Sequence, residues 1–448
     1  MPELGRIGEE DRHPARKADA RSQVVVIGWL AFCGPGLFNA LNGLGNAGSD
    51  DADVAALANG CLYCTFALCG YFGSVAFNLL GPTRLLSLGG ASYAVYASCV
   101  YFSVRAKWLA VLGGVVLGIG AGLFWTAQGS LMMAYATPKS RGRLIAIFWV
   151  IFNLGGVCGG LLQFMLNFSE EGASANPFSY FAFVLVMLLG AALAPVLLAE
   201  PSSVQREDGS PVLFSQAESP LEELHAAWRS LREPFILRNL LFYLASNWFY
   251  TYNFNGFNGH QFNIRTRGLN SAAFWAAQMW ASSRFGQVLD SDSPPRQRAQ
   301  RGMLLVAVSL LLSLGLALQD SRWRPCQGHL GWDKGQSCRW DVSKDFPQSL
   351  WPMAIFLLLG ASDAIYQNYA YWLMSMAAGG DVRKTVMYSA AYKGVQSLGA
   401  GMAWLIDLTE ASYFLQGSLC LVLTLGACLP VLGTFHMLED GKKEDSHA

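Results

Sequence analysis

The hydrophobic positions of this chain fall in long blocks rather than in helix-period or alternating patterns. A helix that crosses a membrane needs about 20 mostly apolar residues, and blocks of that length recur along the chain with short polar segments between them. The pattern predicts an all-α polytopic membrane protein with twelve transmembrane helices, at approximately residues 24–46, 54–80, 85–104, 108–135, 144–166, 178–199, 238–261, 272–289, 302–319, 350–376, 385–408 and 411–437.

Composition agrees with a chain that lies in a lipid bilayer. Hydrophobic residues make up 53% of the sequence and charged residues only 14%, against about a quarter charged in average soluble proteins. The net charge is zero, so nothing indicates a nucleic-acid partner. No Ser-His-Asp set, metal-ligand spacing or glycine-rich phosphate loop can be placed. Neither an enzyme nor a bound metal or cofactor is therefore predicted.

Basic residues between the blocks predict the orientation in the membrane. No cleavable signal segment precedes the first block, and an even number of spans places both termini on one side. If that side is the cytoplasm, the inner segments carry more than twice as many Lys and Arg residues as the outer loops, as the positive-inside rule requires. We expect both termini in the cytoplasm, and the terms cytoplasmic side and outer side follow this expectation. Plasma membrane and internal membranes are not distinguished by the sequence.

Polar patterns of the first half recur in the second half. Residues 38–43 are FNALNG and residues 254–259 are FNGFNG. Three correspondences in register predict two homologous six-span halves, with a longer outer loop in the second. The other two pair Arg143 and Asn153 with Arg383 and Lys393, and Gln128 with Gln367. The expected parts are a cytoplasmic tail (1–23), a first bundle (24–199), a cytoplasmic linker (200–237), a second bundle (238–437) with the outer loop 320–349, and a cytoplasmic tail (438–448).

One loop motif and several longer segments resemble known families. Between spans 8 and 9, Gly286, Asp290, Arg296 and Arg298 have the spacing of the inner-loop motif of the major facilitator superfamily, which is built from two parallel six-span repeats. The first-half loop, FNLLGPTR, has Asn78 where an acid is usual. The segments GPGLFNALNGLGNAG, TYNFNGFNGHQFNIRTRGLN, and SDAIYQNYAYWLM with YKGVQSLGAG resemble the unc-93-like family in its fungal branch. The resemblance implies the major facilitator fold.

Asparagines form one stripe on span 1 and a second on span 7. In the major facilitator fold, spans 1, 4, 7 and 10 line a central cavity, so the stripes are candidates for a polar outer gate or a ring that contacts substrate. Alternatively, the amides only hydrogen-bond between helices and hold them together. Each stripe has a spacing that places its members on one helix face: Asn39, Asn42 and Asn46, and Asn247, Thr251, Asn255 and Asn258.

Spans 4 and 10 supply the remaining candidates for substrate or gate residues. Trp125 and Gln128 lie on span 4, and Gln367 and Tyr371 lie on span 10. Aromatic and amide side chains at these positions are typical of residues that line a cavity for a small molecule.

A carboxylate near the middle of span 10 is the most informative single residue. Asp363 lies far from both ends of its span, and a charge at that depth costs at least about 2.5–3.5 kcal/mol, which makes it a candidate functional residue. Lys393 on span 11 can either extend to the cytoplasmic surface or reach toward Asp363. The two residues therefore form either a proton or cation site that couples transport, or a structural lock.

Most cysteines fall within the spans, where thiols pack as small apolar groups. This interpretation includes Cys61 and Cys64, despite their C-x-x-C spacing. Cys326 and Cys338 lie in the long outer loop, and we predict a disulfide between them. Asn167-Phe168-Ser169 fits the glycosylation pattern but adjoins the end of span 5, and we expect that it is not modified.

Two functions are compatible with these observations. The midplane acid, the polar stripes and the intact second-half motif favour a secondary transporter of an unknown small solute or ion. The altered first-half motif favours a transport-inactive regulator or escort that binds another membrane protein, because the resemblance covers proteins of both kinds.

Overall fold

The computed structural model describes residues 18–44, 52–103, 105–168, 177–212, 219–323, 325–326, 329–330, 339–409 and 411–438. Helices follow the predicted blocks in order and are numbered as spans. The first half contains span 1 (Ala20–Gly43), span 2 (Ala52–Tyr71 and Gly73–Leu80), span 3 (Pro82–Phe102), span 4 (Trp108–Ala134), span 5 (Arg141–Leu166) and span 6 (Pro177–Leu197). The second half contains span 7 (Pro234–Ala245 and Thr251–Gly259), span 8 (Ile264–Leu289), span 9 (Pro295–Trp323), span 10 (Phe346–Ala378), span 11 (Val382–Leu408) and span 12 (Tyr413–Leu432).

Smaller elements lie outside the spans. The linker between the halves contains the helix Pro220–Ser230, called the linker helix. It begins at Ser219, whose hydroxyl oxygen accepts the backbone N–H of Glu222 at 3.2 Å. Strands Ala18–Asp19 and Val204–Gln205 pair in parallel, strands Pro325–Cys326 and His329–Leu330 pair antiparallel, and 3₁₀ turns occupy Pro201–Ser203 and Phe435–Leu438.

Nine helices among the described residues are long and apolar enough to cross a membrane. Span 7 is not among them because its apolar helix, Pro234–Ala245, is too short, and spans 8 and 11 are not because polar residues lower their hydropathy. Gln278 of span 8 and Lys393 and Gln396 of span 11 are all buried. Large apolar side chains cover the outside of the bundle, as in Phe181 and Val422, which are 68% and 71% exposed. An apolar exterior around a polar interior is the arrangement of a protein in lipid.

The predicted all-α multi-pass architecture is confirmed, but the starts of two spans were wrong. Span 9 begins at Pro295, not near residue 302. Span 8 begins at Ile264, not near residue 272. Its first turns carry Arg265, Thr266 and Asn270, which lower the local hydropathy, yet all three are buried against neighbouring helices. Hydropathy measures how well a segment suits lipid, so it misses the part of a helix that is surrounded by protein.

Spans 1 and 7 are both interrupted by a π-helical segment. In span 1 this segment is Phe32–Gly36, which contains Pro35, a residue without a backbone N–H to donate. In span 7 the helix Pro234–Ala245 ends in a turn, and the chain continues as the π-helix Thr251–Gly259. Such wide turns occur mostly at functional sites.

Two long helix pairs join the halves. Spans 5 and 8 approach closely because small residues lie along their contact: a Cβ on Gly142 would lie 2.5 Å from the carbonyl oxygen of Gly286, and one on Gly160 would lie 2.6 Å from the amide nitrogen of Ala272. Spans 2 and 11 form the second pair, where a Cβ on Gly394 would lie 2.7 Å from a side chain of span 2. Small residues of this kind allow helix backbones to pack in a membrane.

Candidate functional site

A narrow cavity lies between the halves, at the level of the middle of spans 8 and 10. Its empty volume is about 560 Å³, but only about 40 Å³ of it can hold the centre of a water molecule. The larger figure includes crevices between the lining atoms and open solvent, and the smaller one corresponds to room for about three water molecules. The polar lining consists of Asn39, Asn247, Gln278, Asp363, Gln367, Lys393 and Gln396, and the aromatic lining of Phe38, Tyr63, Phe66, Tyr93, Trp125, Trp149, Phe152, Tyr250 and Trp275.

Asp363 is held by amides from two helices. Its Oδ2 accepts Nε2 of Gln278 at 2.8 Å, and its Oδ1 accepts Nε2 of Gln367, one turn along span 10, at 2.7 Å. Gln278 in turn accepts the indole N–H of Trp149 at 2.9 Å. Because Trp149 belongs to span 5, the carboxylate of the second half is connected to the first half through one glutamine.

Lys393 reaches Asp363 through two glutamines, which we call the amide bridge. Lys393 Nζ donates to Oε1 of Gln396 at 2.7 Å, and Gln396 Nε2 donates to Oε1 of Gln367 at 3.1 Å. Gln367 then donates to Asp363. All three bonds run in the same direction, from the ammonium to the carboxylate. The opposite charges lie at the two ends of this bridge and do not form a direct ion pair.

Three aromatic rings surround the Lys393 ammonium. Its Nζ lies 4.5 Å from the ring centroid of Trp125, 4.9 Å from that of Tyr392 and 5.2 Å from that of Tyr371. Ring faces stabilise a cation, and more so when water is excluded. Lys393 is only 3% exposed, so the alternative in which it extends to the cytoplasmic surface is not realised. Trp125 belongs to span 4, so this end of the amide bridge also contacts the first half.

Neither Tyr371, one of the three rings, nor its neighbour Gln128 belongs to the cavity wall. The Tyr371 hydroxyl donates to Oε1 of Gln128 at 3.2 Å. The bond joins spans 4 and 10 below Lys393 and supports the position of the Tyr371 ring. Trp125 lines the cavity itself, and its indole N–H donates to the Tyr93 hydroxyl at 2.9 Å.

The asparagine stripes do not form one ring. Asn39 lines the cavity, whereas Asn42 is buried with neither amide atom bonded within the described part of the chain. Asn255 donates to Oδ2 of Asp407 on span 11 at 2.9 Å and lies outside the cavity wall. Asn258 donates to the carbonyl oxygen of Gly43 at 2.8 Å. The last bond joins spans 7 and 1 on the outer side of the cavity and contributes about 0.6–2 kcal/mol.

The cytoplasmic end of the cavity is closed by Asp290. Span 5 begins after Ser140, whose side chain does not cap the helix. Asp290 of the second half caps it instead: its Oδ1 accepts the N–H of Gly142 and its Oδ2 that of Arg143, both at 2.7 Å. Free N–H groups and the helix dipole make this end favourable for a carboxylate. Burial raises the pKa of Asp290, and the two backbone hydrogen bonds act in the opposite direction.

Other motif residues support Asp290. Gly286 lies directly against Gly142, where no side chain would fit. Arg298 donates to the carbonyl oxygen of Leu289 at 2.9 Å and lies over the Trp372 ring at 5.6 Å, which fixes the end of span 8. Arg296 is exposed at the start of span 9.

A buried glutamate of the linker helix makes the second cytoplasmic contact. Glu223 is 6% exposed. Its Oε2 accepts Nδ2 of Asn78 at the end of span 2, at 2.8 Å, and its Oε1 accepts an Arg383 N–H at the start of span 11, at 3.2 Å. The Tyr71 hydroxyl of span 2 donates to the carbonyl oxygen of Ala227 at 2.6 Å and holds the linker helix in place. Asp290 and Glu223 therefore provide two contacts between helices on the cytoplasmic side of the cavity.

Polar residues of this arrangement that were not predicted from the sequence include Gln278, Gln396 and Glu223. Gln278 and Glu223 are common polar residues without a motif around them, whereas Gln396 lies within YKGVQSLGAG, a segment that carries the family resemblance. A further signal for the two glutamines was their position in spans of low hydropathy. For Glu223 it was the capped, charged helix in the linker.

The remaining sequence predictions lie at the margins of the site. Cys338 and Asn46 lie outside the described residues, as does the side chain of Cys326, so the disulfide stays a prediction. Cys61 and Cys64 are free thiols. Asn167 is buried and donates to the carbonyl oxygen of Gln163 at 2.7 Å. Within the described part of the chain, no group of three His, Cys, Asp or Glu side chains is placed to hold a metal ion.

Comparison with known proteins gives consistent results. A family model described as Major Facilitator Superfamily matches residues 24–404. UNC93-like protein 1 of Arabidopsis thaliana is 37% identical over 418 residues, which cover 91% of this chain and 89% of the relative. An UNC93-like protein of Schizosaccharomyces pombe is 34% identical over 418 residues, which cover 92% of this chain and 81% of the relative.

Two solved structures share the arrangement of the helices. The human organic anion transporter MFSD10 superposes with a TM-score of 0.56 at 17% identity, over 94% of this chain and 98% of the other. The xylose transporter XylE from E. coli superposes with a TM-score of 0.60 at 10% identity, over 92% of this chain and 97% of the other. At these identities the similarity establishes the fold alone.

Proposed function

The chain belongs to the major facilitator superfamily and, within it, to the UNC93-like proteins, and on that premise we propose that it is a secondary transporter that moves a small solute or ion by alternating access. The proposal includes two six-span halves, residues 24–199 and 238–437, joined by a cytoplasmic linker, with both termini in the cytoplasm. Tags fused to either terminus should be accessible to antibody only from the cytoplasm. Binding of antibody to either tag from the outer side of the membrane would contradict this orientation.

The observation that carries the proposal is the amide bridge inside the cavity between the halves. Its carboxylate end is bonded through Gln278 to Trp149 of the first half, and its ammonium end lies against Trp125, also of the first half. Any change of charge at Asp363 or Lys393 therefore alters contacts between the halves. A transporter needs such a connection, since bound substrate or ion must change the relative stability of its two open states.

Protonation of Asp363 would change the bridge in a defined way. A carboxyl group that takes up its proton on Oδ1, the oxygen that faces Gln367, donates a hydrogen bond from that oxygen and still accepts one at Oδ2. The amide of Gln367 would have to turn its oxygen toward Asp363, which then presents its N–H groups to Gln396. The rearrangement ends at Lys393, whose acceptor is withdrawn. One proton on Asp363 thus changes the hydrogen bonding of Lys393, at the other end of the amide bridge.

Uptake into vesicles tests the proposal. With purified protein in liposomes and an imposed pH gradient, a panel of labelled sugars, amino acids and organic acids should include a solute that accumulates. Asp363→Asn should abolish accumulation and retain exchange, because an amide cannot release a proton. Asp407→Asn is the matched control: it removes a span 11 carboxylate that lies outside the cavity wall.

A structural lock gives a different result. In that case Asp363→Asn destabilises the protein by leaving Lys393 without a counter-charge, and Asp363→Asn with Lys393→Met restores stability. A double variant that is stable and transports with unchanged pH dependence would eliminate coupling at Asp363. A regulator of another membrane protein predicts that no solute crosses vesicles containing this protein alone.

A further inference from the structure

Several hydrogen-bond donors that line the cavity have no acceptor within the described part of the chain. The Lys393 ammonium has three N–H groups and one hydrogen-bond acceptor, Oε1 of Gln396. Among the described residues, neither Asn39 nor the Nδ2 of Asn247 has a hydrogen-bond partner, and the buried indole N–H of Trp275 has none. Both oxygens of Asp363, by contrast, accept an amide. The cavity therefore has more hydrogen-bond donors than acceptors. Its cation, Lys393, has one acceptor for its three N–H groups.

The shape of the cavity restricts what can supply that acceptor. Aromatic rings form much of the wall, among them Tyr63, Trp125, Trp149 and Trp275. The room left between the side chains is narrow, at about 40 Å³ for water centres. Rings accept flat partners in stacked or edge-on arrangements, and a ring pair contributes about 0.5–1.5 kcal/mol beyond its buried area.

Resting on the transport proposed above, we propose that the substrate is a small planar organic anion, whose carboxylate binds Lys393 and which crosses together with one proton carried by Asp363. The carboxylate accepts the free Lys393 N–H groups, and the flat part of the molecule lies between the rings of the wall once the halves have moved apart, because the cavity as it stands has room for only about three water molecules. Asn39 and Asn247 are near enough to the cavity to donate to the same anion.

Charge balance requires the proton. The empty cavity holds one carboxylate and one ammonium, so it is neutral. An entering anion would leave a net negative charge in a region of low dielectric, which is costly. A proton taken from the outer solution by an Asp363 oxygen restores neutrality, and it is released to the cytoplasm when the cavity opens there. The same proton turns the amides of the bridge and withdraws Gln396 from Lys393, which frees the ammonium for the anion.

Asp363 is the proton carrier because none of the ionisable groups around it can take this role. Ionisable side chains that interact with it are Lys393 and Tyr392 of span 11, Tyr250 of span 7 and Cys420 of span 12. The tyrosines and the thiol are neutral at physiological pH. Lys393 is the cation that the anion requires, so Asp363 is the member of the group that can take up the proton without losing the binding site.

Binding to the purified full-length protein in detergent tests the ligand class, with labelled 4-hydroxybenzoate as the probe. At mildly acidic pH it should bind at least about thirtyfold more tightly than 4-hydroxybenzyl alcohol, which is neutral, and tyramine, which is a cation. Its saturated analogue, 4-hydroxycyclohexanecarboxylate, should bind more weakly because its ring is not flat. Equal or tighter binding of the alcohol or of tyramine would overturn the proposal.

Variants locate the site. Lys393→Met should lower the affinity for 4-hydroxybenzoate at least about thirtyfold, and Lys384→Met, on the exposed end of the same helix, should leave it unchanged. Wild-type affinity in Lys393→Met would overturn the assignment. The ligand series on the unmodified protein tests the ligand class even if Lys393→Met does not fold.

A transport measurement separates this inference from the proposed function. In vesicles with a pH-sensitive dye inside, 4-hydroxybenzoate added outside should carry protons inward, and Asp363→Asn should bind the probe without moving protons. If the probe binds but neither it nor protons cross, the ligand class stands and the transport proposal fails. If the probe does not bind while another solute accumulates through Asp363, transport stands and the ligand class is overturned.

Discussion

The two contacts that close the cytoplasmic side use carboxylates of different origin. Between spans 5 and 8 the acid is Asp290, part of the loop motif itself, and it accepts two backbone N–H groups of a helix in the opposite half. At the contact of spans 2 and 11, the corresponding motif position is Asn78, at the end of span 2. The acid there is Glu223 of the linker helix. Glu223 accepts side-chain groups from both halves.

This difference changes how the altered first-half motif is interpreted. From the sequence, the missing acid favoured a protein that no longer transports. In the structure a carboxylate is present at that contact and is supplied by the linker. The substitution therefore does not remove closure from this pair of spans; it makes closure depend on the docking of a separate helix, which Tyr71 and Glu223 hold.

The two contacts should also differ in strength. Asp290 satisfies two helix N–H groups at short distance, an interaction with both hydrogen-bond and dipole contributions. Arg383, the partner of Glu223 on span 11, has a side chain that is 59% exposed. Water and salt weaken an ion pair with such an exposed partner. We expect the contact of spans 5 and 8 to contribute most of the stability of the closed cytoplasmic side.

The largest effect is expected for Asp290→Asn. The amide removes the charge and can accept only one of the two N–H groups, so the closed state should lose about 2–3 kcal/mol. Pulsed EPR between spin labels at Lys139 and Gln297, both exposed, should show a larger open fraction on the cytoplasmic side. Asp292→Asn, an exposed acid in the same loop, should leave the distances unchanged. An unchanged distribution in Asp290→Asn would contradict the importance of this contact.

A smaller effect is expected for Glu223→Gln, about 1 kcal/mol, measured with labels at Leu80 and Lys384. Adding Asn78→Asp to this variant should restore the closed fraction, because carboxylate and amide only exchange places and the contact gains the acid that the motif usually has. Glu222→Gln, exposed on the same helix, serves as the control. A double variant as open as Glu223→Gln alone would show that the linker acid does not replace the motif acid.

The smallest effect is expected for Arg383→Gln. An ion pair with one exposed partner contributes less than about 1 kcal/mol, and high salt should remove the difference from the unmodified protein. The same labels at Leu80 and Lys384 report it. A change as large as that of Asp290→Asn, or one that persists at high salt, would contradict the expectation that the contact of spans 5 and 8 contributes more stability than the contact of spans 2 and 11.

The sequence predicted the fold because the driving pattern is local. Each lipid-facing helix must be apolar over its own length, so most spans can be recognised from hydropathy. The start of span 8 was missed for the converse reason: Arg265 and Thr266 are buried, and their partners Asp341, Val342 and Ser343 lie far away in the sequence. A window of neighbouring residues contains no information about them.

The candidate site was predicted in part. Asp363 and Lys393 were found because a charge in an apolar span is costly and therefore conspicuous. Their connection was not: the direct contact considered from the sequence is replaced by Gln367 and Gln396. An amide carries both a donor and an acceptor, so its type alone does not determine its partner.

The sequence by itself thus determined that the chain lies in a membrane, the order of its helices and the depth of Asp363 and Lys393. Tertiary structure alone decided which groups bond to those charges, that Asn255 binds Asp407 instead of lining the cavity, and that Glu223 closes the contact of spans 2 and 11. The physical reason is range. Burial in lipid is a property of each helix, whereas a hydrogen bond between helices depends on the approach of residues that are distant in the chain, 85 positions apart for Gln278 and Asp363 and 145 for Asn78 and Glu223.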